Sequence, residues 1–425
     1  MFKRAGILVA LAGGLLLGIA SAALGGAWAA RALALVEPIG ALWLSALQMT
    51  IIPLVVSLVI TGIAATAEAA RGSRLAARAL IFFIVLLSIS AALGAILTPL
   101  FLRLWPVASS SADALMSAVA SAPAPAAVPG FGDFVRSIIP TNPVAAAAND
   151  TILPLIVFTT LFAFAVTRVA AEPRERLISF FRAVSEVMLV MIGWILWLAP
   201  AGVLALAFVL GARAGASAFG ALLHYVIIVS AIGLVITLLG YVVVASGARI
   251  GIARFSRAII PAQALAISTQ SSLASLPAML RSSEALRVPV QASGVILPLA
   301  VAVFRVTGPA MNIAVALYVA HWLGIELGRP QIIAGVAAAA LTTLGSPSLP
   351  GQISFVAAIA PIAMAMGVPI EPLMLLVAVE NIPDIVRTVG NVTMDVAATA
   401  TIARRSGYAA EEAMTDEDQL LKGRS

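Results

Sequence analysis

Long apolar runs recur along the whole chain, at about residues 5–30, 38–65, 76–104, 137–169, 180–211, 217–247, 292–323 and 372–403. Each is long enough to cross the hydrocarbon core of a bilayer as an α-helix, which takes about 20 residues. A transmembrane β-barrel is built instead from short alternating segments. The chain therefore reads as an all-α polytopic membrane protein with eight crossings. Charge is correspondingly scarce. Only 10% of residues are charged and 62% are hydrophobic, with a mean hydropathy of +1.09, whereas soluble domains average about 25% charged residues.

The net charge of +6 raises the question of a nucleic-acid partner, but the placement of the basic residues points to topology. Lys3 and Arg4 precede the first run, Arg71, Arg74 and Arg78 follow the second, and Arg168, Arg174, Arg176 and Arg182 follow the fourth. Arg249, Arg254 and Arg257 follow the sixth. Alternate loops hold fewer. The positive-inside rule then places both termini in the cytoplasm of a multi-pass protein of the cell inner (plasma) membrane. The first run is too long for the core of a signal peptide and fits as a first crossing. There is no cysteine, so disulfides, thiolate metal sites and cysteine nucleophiles are excluded. His224 and His321 lie too far apart in sequence to suggest a metal motif, and no phosphate loop or Ser–His pattern supports an enzyme.

The last run carries Glu380, Asp384, Arg387, Asn391 and Asp395. At 100° per residue these five fall within roughly 80°, on one face of a helix. Each ionised group at mid-membrane depth costs about 2.5–3.5 kcal/mol on insertion scales. Such a stripe belongs beside a polar cavity that handles ions or charged solutes.

Two further apolar segments, 253–286 and 330–367, are interrupted near their middles by small polar residues and proline. The first break runs Ser268-Thr269-Gln270-Ser271-Ser272-Leu273-Ala274-Ser275-Leu276-Pro277, the second Gly345-Ser346-Pro347-Ser348-Leu349-Pro350-Gly351. Each segment is followed by a full crossing that contains an arginine, Arg305 and Arg387. This is the pattern of an internal repeat, a broken hairpin plus a helix, used twice. Breaks at membrane depth survive only where protein or a watery cavity satisfies the freed backbone. Paired breaks in two halves mark a transporter binding site. The candidate hairpin tips are Pro277, Pro350 and Gly351.

With these residues in view the chain resembles the glutamate transporter family, the dicarboxylate/amino acid:cation symporters. The resemblance rests on Leu42 to Met49 with Ile52-Pro53-Leu54-Val55, on Ile139-Pro140-Thr141-Asn142-Pro143 with Leu153-Pro154, and on Leu198 to Val203. It rests above all on Asp384-Ile385-Val386-Arg387-Thr388 with Asn391 and Asp395. It implies eight transmembrane helices and two re-entrant hairpins arranged as inverted repeats. It also implies a homotrimer of independent transport units, each carrying solute by an elevator-like movement. Residues 1–250 would form the scaffold and part of the transport unit, 251–403 the substrate-binding core, and 404–425 a cytoplasmic tail.

By the same resemblance Arg387 pairs the side-chain carboxylate of the solute, as its planar fork suits. Asp384 receives an ammonium group, and Ser271, Ser272 and Asn391 hold the main-chain carboxylate beside Thr388. The dicarboxylate branch usually lacks the acid at the Asp384 position, and the neutral amino-acid branch replaces the arginine. Having both favours aspartate or glutamate over C4-dicarboxylates. The seventh helix departs from the family. Where Asn-Met-Asp-Gly-Thr is expected, this chain has Phe304-Arg305-Val306-Thr307-Gly308, and the third helix near Phe83 and Leu86-Leu87 lacks the matching hydroxyls. Asp395 remains the candidate sodium ligand, with Asn391, Arg305 and Glu380 as further coupling residues. No cofactor is expected, and the coupling ion is Na+ or H+. The partners are a small anionic solute and the lipid bilayer. A channel or receptor-like protein on the same fold, without ion coupling, is the alternative.

Overall fold

The computed structural model describes residues 2–106, 136, 138–149, 151–214, 217–345 and 351–406. Among them are sixteen α-helices and no strand. Five stretches are long and apolar enough to cross a membrane: Trp28–Arg71, Arg74–Leu104, Ala171–Ile195, Phe219–Ala248 and Val290–Trp322. Shorter apolar helices lie at Val9–Leu24, Ile152–Val166 and Ala199–Arg213.

The first half of the chain supplies α1 (Phe2–Leu24), α2 (Gly26–Gly72), α3 (Arg74–Leu104), α4 (Pro143–Ala148), α5 (Ile152–Val166), α6 (Ala171–Trp197), α7 (Ala199–Ala214) and α8 (Ser217–Val243). Local chemistry sets several boundaries. Ser73 accepts hydrogen bonds from the backbone N–H groups of Leu75 and Ala76 and so starts α3. Asn142 does the same for Val144 and Ala145, with Pro143 in the first turn of α4, where a missing N–H costs nothing. The expected single crossing at 180–211 is two helices, because Pro200 opens a new first turn.

Within this half, the most extensive packing is of α1 on α7 and of α2 on α6. Gly14 and Gly18 stand four residues apart on one face of α1, and a methyl group at either would meet α7 backbone. At Gly18 it would lie 2.2 Å from the Phe208 carbonyl oxygen. Small residues let membrane helices approach this closely. Gly18→Leu is expected to separate the two helices at a cost of about 1–3 kcal/mol or more. The check is the apparent melting temperature of purified protein, and an unchanged value would refute the tight crossing.

The second half is a series of broken elements. A π-turn at Val244–Ala248 leads into α9 (Ile252–Thr269), which packs against α10 (Ser272–Ala285). This is the first expected hairpin, but its tip is at Gln270 and Ser271, not at Pro277. Gln270 takes a left-handed conformation (φ 52°), and the Ser271 hydroxyl accepts from the Ala274 N–H to start α10. Pro277 lies inside that helix. The second pair is α13 (Arg329–Gly345) and α14 (Gly351–Ala365), packed on each other. Gly351 is the first residue of α14, while Pro350 lies outside the described residues, as does the tail beyond Ser406.

The expected continuous crossing at 292–323 is two helices, α11 (Val290–Val303) and α12 (Thr307–Trp322), parted at Phe304-Arg305-Val306. The run at 372–403 likewise divides into α15 (Leu373–Leu376) and α16 (Asn381–Arg405). Glu380 is therefore the residue just before α16 rather than part of its interior. Its backbone is still helical (φ −61°, ψ −21°), so its spacing from Asp384 is kept. From Gly390 to Ala403 every residue of α16 is buried, against α8, α9, α10 and α11.

Candidate functional site

The polar stripe of α16 meets the break between α11 and α12. The break is held from both sides. Ser90 of α3 donates its hydroxyl hydrogen bond to the Val306 carbonyl. Asn391 Oδ1 accepts from the Thr307 backbone N–H at 3.0 Å and from the Thr307 hydroxyl at 2.8 Å. Backbone groups freed at membrane depth are thus satisfied by side chains from other helices. Phe83 stacks on Phe304, ring centroids 4.2 Å apart and 9° from parallel. The positions that lack hydroxyls in the sequence are filled by this apolar pair.

Arg387 is the centre of the site and is only 7% exposed. Its Nη2 donates to Glu380 Oε1 at 2.6 Å and its Nη1 to Asn312 Oδ1 at 2.6 Å, while Asp384 Oδ1 stands 3.7 Å from its Nε. Tyr225 of α8 donates to the other oxygen of Glu380 at 3.2 Å. A buried charge pair is tolerable only when further polar groups support it, and Asn312, Asp384 and Tyr225 do so here. Arg305, Gly308, Asn312, Arg387 and Asn391 line a cavity of about 20 Å³ together with Thr343 of α13 and Ala358 of α14. That is room for a single water molecule.

The other expected residues are placed as follows. Thr388 donates to the carbonyl of Asp384 within its own helix. Asp395 is buried, and neither of its carboxylate oxygens has a hydrogen-bond partner. Arg305 lies close enough to act on Asp384 and Asp395 electrostatically, and it is opposed by Arg387. Ser271 and Ser272 are not among the residues lining the small cavity. The hairpin that carries them reaches α16 through Gln270, which donates to the carbonyl of Asn381 at 3.3 Å. No cluster of His, Asp and Glu able to hold a metal ion occurs among the described residues.

A family profile described as the sodium:dicarboxylate symporter family matches residues 5–405. The chain belongs to this family. Members of the sodium:dicarboxylate symporter family are membrane transporters, not enzymes. Among its relatives, a proton/glutamate-aspartate symporter of Escherichia coli is 30% identical over 379 residues, covering 87% of this chain and 85% of that protein. A proton/sodium-glutamate symport protein of Bacillus subtilis is 28% identical, covering 87% and 86%. The neutral amino acid transporter B(0) of Homo sapiens is 31% identical, covering 91% and 77%.

Sequence reasoning missed Asn312, Tyr225, Thr307 and Ser90 as parts of this sodium:dicarboxylate symporter site. Asn312 had a signal, since it stands seven residues after Arg305 in an otherwise apolar run. Tyr225 and Ser90 had none, because their partners lie 155 and 216 residues away in sequence.

Proposed function

We propose that this protein is a secondary symporter of acidic amino acids, aspartate or glutamate, with related dicarboxylates as weaker solutes. The observation that carries the reading is the buried Arg387 fork, held by Glu380 and Asn312 beside Asp384. A guanidinium suited to bidentate pairing recognises a carboxylate, and the neighbouring carboxylate of Asp384 suits an ammonium group. Asn391, Thr388 and the Ser271–Ser272 tip complete the solute contacts in this reading. Residues 1–250 supply the scaffold of a homotrimer and part of the transport unit, and residues 251–403 the substrate-binding core, in a plasma membrane with both termini cytoplasmic.

Coupling in this reading runs on protons rather than sodium. Hard cations are held by several oxygen ligands, and the side chains at the break are Phe304, Arg305 and Val306. Arg305 supplies a fixed positive charge near Asp395, where a dissolved cation is otherwise required. The test is counterflow and uptake of labelled aspartate in proteoliposomes, with sodium replaced by choline and with or without a pH gradient. Uptake is expected to keep at least about half its rate in choline and to follow the pH gradient, while steep, multi-ion sodium dependence refutes the coupling. Passive flux without counterflow refutes symport in favour of a channel.

A further inference from the structure

Away from the solute site, four arginines distant in sequence converge on one cavity. Arg249 follows the π-turn that ends α8, Arg254 sits in the first turn of α9, Arg287 follows α10, and Arg404 is near the end of α16. Together with Gly251 and Ala248 they line a cavity of about 250 Å³, and no acidic side chain is among its lining residues.

Two of the arginines have a structural task. Arg404 Nη1 donates to the Ala248 carbonyl at 2.8 Å, and Arg254 Nη2 donates to the Ala285 carbonyl at 3.3 Å. Both serve the carbonyl-rich ends of helices, where a cation is favoured. Helix capping does not account for Arg249 and Arg287. Each has a left-handed backbone, φ 54° and 60°, a conformation that is uncommon for residues with a side chain. No hydrogen bond or salt bridge is described for either side chain. The N-terminus of the eighteen-residue α9 opens onto the same space at Gly251, adding backbone N–H groups and the positive end of a helix dipole.

We propose that this cavity is a binding site for a phosphate-bearing anion. All four arginines are exposed to solvent, and with no acid among them they make a positive surface that favours an anion. Guanidinium forks and a helix N-terminus are the groups that bind phosphate oxygens. Basic pockets between helices on the cytoplasmic side of a membrane take anionic lipid headgroups in this way. The cavity joins the base of the α9–α10 hairpin to the ends of α8 and α16, so its occupant fastens together four elements of the core.

The test uses the purified full-length protein. Native mass spectrometry measures retention of phosphatidylglycerol against phosphatidylcholine, and calorimetry measures binding of pyrophosphate. Wild-type protein should retain phosphatidylglycerol selectively. The Arg249→Gln/Arg287→Gln variant, which loses no described hydrogen bond, should bind it at least about tenfold more weakly, the weight of one or more charge-assisted hydrogen bonds. Lipid retained against excess pyrophosphate identifies a headgroup as the ligand, and pyrophosphate binding that displaces lipid identifies a soluble anion. Wild-type protein that binds neither anion, or a folded variant that binds both as well as wild type, overturns the proposal. If the double variant does not fold, Arg249→Lys/Arg287→Lys and the wild-type selectivity decide.

Discussion

Arg387→Ala is expected to reduce binding of acidic solutes by more than about a hundredfold and to destabilise the protein at the same time. The two effects have different origins. Removing the guanidinium deletes the fork that pairs a carboxylate, and it also strands Glu380, which keeps only the Tyr225 hydroxyl as a described partner. Breaking one side of a buried ion pair costs about 3–5 kcal/mol. The double change Glu380→Gln/Arg387→Ala removes the stranded charge and should restore most of the stability without restoring binding. Asp384→Ala should weaken amino acids while sparing plain dicarboxylates, because only the former carry an ammonium group. Melting temperature and equilibrium binding, measured on the same preparations, separate these outcomes. A double variant that regains solute binding would show that Arg387 serves packing alone.

Asp395→Asn is expected to abolish accumulation driven by a pH gradient while leaving solute exchange intact. Both carboxylate oxygens of Asp395 are buried without a hydrogen-bond partner. An ion carried through the membrane core in that condition is costly. The charge of Arg305 stands in for a dissolved cation but acts on this carboxylate without a hydrogen bond, so the group still takes up a proton whenever its surroundings travel. Asparagine keeps the shape and fixes the neutral state, so the core moves with or without a proton from solution. Exchange of internal for external aspartate then continues, but the gradient no longer does work on the solute. Comparing counterflow with net uptake in the same vesicles checks this, and a variant that still concentrates aspartate against its gradient rules out Asp395 as the coupling group.

The sequence made the α16 stripe and both hairpins legible because each violates what a membrane tolerates by chance. Charges at helical spacing and paired Ser/Pro breaks are expensive in lipid, so they stand out against Leu, Val and Ala. In the first hairpin the serine-rich step at Ser271–Ser272 falls at the turn, whereas Pro277 lies inside α10. Proline advertises a break, whereas a left-handed glutamine and a serine cap carry a weaker signal. The gap between α11 and α12 was invisible for a different reason. Phe304 and Val306 are unremarkable in an apolar run, and the groups that make their break affordable, Ser90 and Asn391, belong to other helices. Long-range partners of this kind are settled by packing, which a single sequence does not display.

The bond between Asn391 and Thr307 has a further consequence for direction. One amide oxygen holds both the first N–H and the first hydroxyl of α12, so the break and the middle of α16 form a single mechanical piece. Arg387 and Asn312 join the same two helices a little further along. In the moving-core reading proposed above, a site braced in this way keeps its shape whichever side of the membrane it faces, and its grip on the solute is then equal on both sides. A ligand held equally by two states shifts the balance between them not at all. The solute is accordingly a passenger, and net movement is set by the difference in concentration across the membrane together with whatever proton or ion neutralises the remaining carboxylate.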